Sequence, residues 1–94
     1  MLPMGAIAEV IRDKLTEAFQ PIRLEIEDDS ARHRGHAGAR EGGESHFNVL
    51  IEADAFAGKP KVARQRLVYQ TLAEELAGPV HALSVRAVAP GEAA

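Results

Sequence analysis

Three short segments with alternating apolar and polar residues constrain the fold of this 94-residue chain most strongly. The alternating positions are Ile22, Leu24 and Ile26; Phe47, Val49 and Ile51; and His81, Leu83, Val85 and Ala87. Alternation places one set of side chains on one face of a β-strand and the polar set on the other. Three such strands form a sheet with one apolar face, and that face has to be covered by helices. A second domain is excluded, because a single core needs about 50 to 200 residues.

Two segments with helical spacing supply that cover. Apolar residues recur every three or four positions from Ala6 to Phe19, which is typical of an amphipathic helix. The same spacing extends from Val62 to Leu76 and ends at Gly78-Pro79, and a short helical turn is predicted before it. The predicted fold is a small α+β domain in the order helix, strand, strand, helix, helix, strand. We expect a three-stranded mixed sheet with the helices on one face, in which the first two strands are antiparallel and the third is parallel to one of them.

Between the first two strands, residues 28–45 are rich in glycine and contain hardly any large apolar side chain. Such a segment has nothing to bury, so the sequence predicts a long loop that is mobile or functional. The loop carries His33 and His36. We expect one domain over residues 1–94, with a core at about 6–90 and a short flexible C-terminal tail.

Composition excludes several kinds of site. The chain has no cysteine, so it forms no disulfide, has no thiol nucleophile and builds no all-cysteine metal centre of its own. The formal net charge of −3 argues against a protein that binds nucleic acid or anionic membranes over its whole surface. Neither a secretory signal nor a stretch of about 20 apolar residues is present, so we predict a cytoplasmic protein without membrane contact.

Several short motifs occur together over about residues 7–90. They are Leu24-Glu25-Ile26 followed by Asp28-Asp29-Ser30, Ser30-x-x-His33, Ser45-His46-Phe47, Phe56-x-Gly58, Arg64-x-Arg66-x-Val68-Tyr69, Leu72-Ala73-Glu74-Glu75-Leu76 and Val80-His81-Ala82-Leu83-Ser84. In this order and spacing the chain resembles the BolA family. The resemblance implies an α+β, class II KH-like fold, in agreement with the element order above. One departure is Gln65, because family members often have Arg-His-Arg where this chain has Arg64-Gln65-Arg66.

The resemblance also implies a function. BolA proteins pair with monothiol glutaredoxins, and the heterodimer holds a 2Fe-2S cluster in which the glutaredoxin cysteine and a glutathione thiolate serve one iron. The positions that match the family's ligands to the other iron are His81 and, in the loop, His33, with His36 as an alternative. This implies an adaptor in iron–sulfur cluster trafficking or in iron and redox regulation. We expect the chain alone to bind no cluster stably, since imidazoles without thiolates are too weak a donor set.

Each histidine also has a structural interpretation. His81 would then be a half-buried ring bonded to a backbone carbonyl at a strand start, and His33 and His36 would be solvated loop residues. For His46, on the strand face opposite Phe47, the alternation favours a structural hydrogen bond over metal ligation.

A basic segment follows the second strand. Lys59, Lys61, Arg64 and Arg66 lie within eight residues that contain no acidic residue. Cations near a helix start oppose the helix dipole, so the segment favours a role toward a phosphate or an acidic partner. By resemblance to KH-like folds, the alternative function is a DNA-binding transcriptional regulator, although a GxxG loop and a set of stacking aromatics are missing. A solvated basic face, or one that docks on glutaredoxin or its glutathione, is an equally open interpretation.

The sequence does not favour an enzyme. Asp28 and Asp29 are adjacent in an extended segment and therefore point to opposite faces rather than forming an acid and base pair. Ser30 near His33 lacks an oxyanion hole and a third orienting group. We predict no catalytic residues.

Overall fold

The computed structural model of the chain describes residues 5–28 and 46–92. Its helices are α1 (Ala6–Phe19), α2 (Lys61–Thr71) and α3 (Ala73–Ala77), and its strands are β1 (Arg23–Asp28), β2 (His46–Glu52) and β3 (Ala82–Val88). A 3-10 turn, Asp54–Phe56, precedes α2. The predicted element order is confirmed, and so is the short helical turn before the second long helix.

The three strands form one mixed sheet in the order β1-β2-β3. β1 runs antiparallel to β2, with Leu24 opposite Ile51, and β3 runs parallel to β2, with Val49 opposite Val85. β2 therefore lies in the centre, and its alternation is visible in its burial, since Phe47, Val49 and Ile51 are all buried. The predicted α+β fold with a mixed sheet is confirmed.

Helices α1 and α2 cover the apolar face of this sheet. The largest fully buried side chains come from α1, β2, the 3-10 turn, α2 and the residue after it: Ile11, Leu15, Phe47, Ile51, Phe56, Val68 and Leu72. The rings of Phe19 and Phe56 lie 5.1 Å apart, within the range of favourable aromatic packing, and join the end of α1 to the turn. These contacts make one core against a single face of the sheet.

Two strand boundaries differ from the prediction by one residue. Ile22 is 66% exposed and precedes β1, so its predicted place on the buried face was wrong. His81 precedes β3 rather than opening it. The reason is that Val80 is buried and its N–H donates to the carbonyl of Glu75, which holds the chain in the turn after α3 until the sheet register begins at Ala82.

The second helical segment is two helices rather than one. It breaks at Leu72, where φ is −104° and ψ is 22°. Just before the break the hydroxyl of Thr71 donates to the carbonyl of Leu67, a bond that bends helices. The short α3 is held to α1 by Lys14, whose ammonium lies 2.8 Å from Glu74 and 2.9 Å from Glu75. The hydrogen bonds that the Lys14 ammonium donates to the carboxylates of Glu74 and Glu75 raise the pKa of Lys14.

Within the described residues, no helix has the length and apolar character that a membrane crossing requires.

Candidate functional site

His81 lies at the end of the sheet where β2 and β3 both begin. Its side chain is exposed, and the residue after it, Ala82, stands opposite His46 in the parallel register. This register brings the two imidazoles together, with ring centroids 6.4 Å apart and ring planes 28° from parallel. The sheet topology therefore creates a pair of histidines that are 35 positions apart in the sequence.

Imidazole nitrogen is a borderline ligand that suits iron and zinc. Across residues 5–28 and 46–92 no group of three or more His, Cys, Asp or Glu side chains has a metal-binding arrangement. The whole sequence contains no cysteine. His81 could therefore bind a cluster only if the cluster is shared. The thiolates, and at least one further donor, must come from beyond this part of the chain.

The predicted loop ligands His33 and His36 lie outside the described residues. The chain leaves the sheet after Asp28 and returns at His46. Asp28 pairs with Phe47, so both anchor points are at the same end of the sheet as His81. Topology thus ties the segment that carries the two loop histidines to the end of the sheet that carries His81.

Sequence reasoning did not find the contact between His46 and His81. Alternation put His46 on the face opposite Phe47, and this is consistent with its half-buried side chain. What alternation leaves out is which strand is the neighbour and in which register. The structural hydrogen bond expected for His46 stays a prediction, while its ring contact with His81 is a new observation.

Only some of the cations in the basic segment are exposed at the surface. Lys59, Lys61 and Arg66 are exposed, whereas Arg64 is 6% exposed. Its guanidinium donates to the carbonyls of Lys59 at 2.8 Å and Ala87 at 3.1 Å, and it binds both carboxylate oxygens of Glu92. The chain's own groups thus occupy hydrogen-bond donors of Arg64, and its role toward a nucleic acid or a partner stays a prediction.

Glu92 lies in the segment predicted as a short flexible tail, and its side chain bonds to the body of the domain. Its carboxylate accepts hydrogen bonds from Arg64 and from the backbone N–H of Ala89. These two interactions, with that from Arg64 the larger, lower the pKa of Glu92 to about 2. The carboxylate thus stays ionised at neutral pH and closes the C-terminal end of β3 against α2.

Three side chains of α2 bond to the outer edge of β3. Tyr69 donates to the carbonyl of Leu83, Gln65 to that of Val85, and Arg64 to that of Ala87. An open edge strand offers unpaired backbone groups to other chains, and covering it with a helix prevents this. Gln65, where family members often have histidine, has a structural role here.

A groove of about 390 Å³ lies between α2 and β3 and is lined in part by Lys61, Arg64, Gln65, Arg86 and Glu92. Arg64 and Glu92 are already paired with each other, and Gln65 is bonded to β3. Among the described residues that line this groove, no acid and base converge on open space, the arrangement that general acid–base catalysis requires.

Comparison with known proteins gives consistent matches. A family model described as BolA-like protein matches residues 15–92. The chain is 48% identical over 79 residues to the DNA-binding transcriptional regulator BolA of Escherichia coli K12, covering 84% of this chain and 71% of that protein. It is 44% identical over 96 residues to the chloroplastic/mitochondrial SufE-like protein 1 of Arabidopsis thaliana, covering 98% of this chain and 26% of that protein.

A solved structure agrees with the sequence matches. The BolA domain of SufE1 from Arabidopsis thaliana superposes with a TM-score of 0.86 at 44% identity, covering 97% of this chain and 100% of that one. The chain spans about a quarter of the full SufE-like protein, so the similarity concerns its BolA domain and not the remainder. The predicted cytoplasmic location stays a prediction.

Proposed function

The chain belongs to the BolA-like family, and we propose that it is a non-enzymatic adaptor that forms a heterodimer with a monothiol glutaredoxin and shares a 2Fe-2S cluster with it. In this proposal the glutaredoxin cysteine and glutathione serve one iron. His81 and a loop histidine, His33 or His36, serve the other. The adaptor then acts in cluster trafficking or in iron and redox regulation.

The observation that carries the proposal is the exposed imidazole of His81 in a chain without cysteine. Two imidazoles in place of two thiolates at one iron are an established donor set for 2Fe-2S clusters, and they raise the reduction potential. Because the ring of His81 is exposed at the end of the sheet, a partner reaches it without unfolding the domain. The segment of the sequence that carries His33 and His36 is attached at that same end, through Asp28 and His46.

Two observations support a non-enzymatic role. The two relatives named above are called a transcriptional regulator and a SufE-like protein, and a mouse relative is called BolA-like protein 1. The match covers more than half of the transcriptional regulator and of the mouse protein. In the described residues, the carboxylate that lines the groove between α2 and β3, that of Glu92, is already paired with Arg64.

The alternative function is a DNA-binding regulator. The name of the Escherichia coli relative and the three exposed cations Lys59, Lys61 and Arg66 favour it. The loss of Arg64 from this surface, the net charge of −3 and the single tyrosine beside the patch weaken it. We therefore expect weak DNA binding by the free chain.

The two functions are separated by one titration. Purified chain is added to a monothiol glutaredoxin loaded with its glutathione-bound cluster, while visible absorbance and circular dichroism are recorded. We expect a new visible dichroism that saturates at one chain per cluster, and no colour in the chain alone. A spectrum that stays unchanged in excess chain, with tight sequence-dependent DNA binding at physiological salt, would establish the regulator instead.

A further inference from the structure

The contact between His46 and His81 joins a well-fixed residue to a less constrained one. His46 is the first residue of the central strand and is paired to β3 opposite Ala82, with a half-buried side chain. His81 lies one residue outside β3, and its side chain is exposed. The sheet therefore determines where the ring of His46 stands, but it determines the ring of His81 much less directly.

Binding of a metal or cluster by such a residue costs conformational entropy. An exposed side chain samples several rotamers, and fixing one of them on ligation loses conformational entropy. Metal and cluster ligands are usually oriented by neighbouring groups that remove this freedom in advance. For His81 the described residues offer one ring neighbour, His46, at a centroid distance within the 4.5–7 Å range of aromatic pairing.

The two rings are close enough for one to limit the rotation of the other. Their planes lie 28° from parallel and their centroids are 6.4 Å apart. Two imidazoles on one ion can have the same separation, so substitutions that test the role of His46 have to separate its ring from its nitrogens.

We propose that His46 is a positioning residue, whose ring stacks on His81 and orients that imidazole toward the partner-held cluster. The inference rests on the proposed function in one respect, the assignment of His81 as the ligand. The positioning itself is a property of the free chain and is measured without a cluster.

Two matched variants of the full chain separate the ring from its nitrogens. His46→Phe keeps an aromatic ring and removes both nitrogens, whereas His46→Gln keeps a polar side chain and removes the ring. In the free protein, aromatic NMR reports the His81 ring: we expect its ring-current shift to persist in His46→Phe and to move toward the random-coil value in His46→Gln. With cluster-loaded glutaredoxin, we expect the lifetime of the shared cluster to fall about two- to tenfold in His46→Gln and to stay near wild type in His46→Phe.

The outcomes are distinct. Equal damage in both variants means that a nitrogen of His46 is required, which overturns positioning by the ring. A His46→Gln protein with the wild-type His81 shift and cluster lifetime overturns it as well. If the wild-type chain takes up no cluster, the proposed function fails, and the NMR shifts of the two free variants still decide whether His46 orients His81. Thermal unfolding of both variants checks that the comparison concerns folded proteins.

Discussion

Each end of β3 lies beside a side chain that could bind a partner or a ligand, and the two side chains differ in their exposure. At the start of the strand His81 is exposed beside His46. At the other end Arg64 is buried and bonded to two carbonyls and to the carboxylate of Glu92. At the start of β3 the imidazole of His81 is available to a partner, whereas at its C-terminal end the guanidinium of Arg64 is bonded within the domain.

This difference shows that residue type alone does not identify a site. Arginine in a basic segment and histidine at a strand start are equally conspicuous in sequence. Their roles diverge because of the groups around them, which come from distant parts of the chain. Glu92 and the carbonyl of Ala87 bond to Arg64, whereas the ring of His46 lies beside His81. The comparison can be tested at each end separately.

The largest stability effect is expected from Arg64→Ala. The substitution removes hydrogen bonds to Lys59, Ala87 and Glu92 and leaves a gap under the start of α2, so the midpoint of thermal unfolding should fall by about 5–10 °C. His81→Ala, at the open end, should change the free energy of unfolding by less than about 0.5 kcal/mol. Calorimetry of both variants measures this; equal midpoints would mean that the two ends of β3 do not differ in this way.

A smaller effect on stability is expected when the pH is lowered and Glu92, at the C-terminal end of β3, becomes protonated. The pKa of Glu92 is lowered to about 2 in the folded protein from an ordinary value of 4.5, chiefly by the hydrogen bond from Arg64. Its contribution to stability is therefore complete above pH 4.5 and is lost as the pH falls toward 2. Unfolding by urea at several pH values should find wild type more stable than Glu92→Gln at pH 6, with the two converging near pH 2. A constant difference over that range would contradict the bonded, ionised carboxylate.

The smallest effect concerns the remaining exposed cations. Replacing Lys59, Lys61 and Arg66 by glutamine should weaken DNA binding and reduce the slope of log affinity against log salt by at most about 2.7, since three phosphate contacts are removed. Cluster sharing should be unaffected. Arg12→Gln, which removes an exposed cation of α1, is the matched control. An unchanged slope in the triple variant would contradict this expectation, because it would mean that other cations make the phosphate contacts.

Much of the fold was predictable because it follows from short-range patterns in the sequence. The alternation of Phe47, Val49 and Ile51 and the spacing from Ala6 to Phe19 depend only on the geometry of strands and helices. The break at Leu72 was missed, because it accompanies a side-chain hydrogen bond from Thr71 to a backbone carbonyl that periodicity does not contain. Parallel pairing of β3 was expected, but its register was not.

The candidate site was predictable only through resemblance. His81, His33 and His36 were assigned by matching motifs, and nothing in their spacing requires a cluster. The contact of His46 with His81 spans 35 positions and the pairing of Arg64 with Glu92 spans 28, so no local signal could reveal them. A three-dimensional arrangement decides which charged or coordinating side chains remain available.

The central claim is that His81, the exposed histidine just before β3, is the principal ligand that this chain brings to a shared cluster. Visible spectra and cluster lifetimes of heterodimers with a monothiol glutaredoxin test it directly, using His81→Ala, His33→Ala and His36→Ala, each checked for folding by far-ultraviolet circular dichroism. We predict the largest loss for His81→Ala, a smaller loss for His33→Ala and the mildest for His36→Ala, because His33 and His36 can replace each other. A folded His81→Ala heterodimer with the wild-type spectrum, alongside a His33→Ala heterodimer that loses it, would contradict the account.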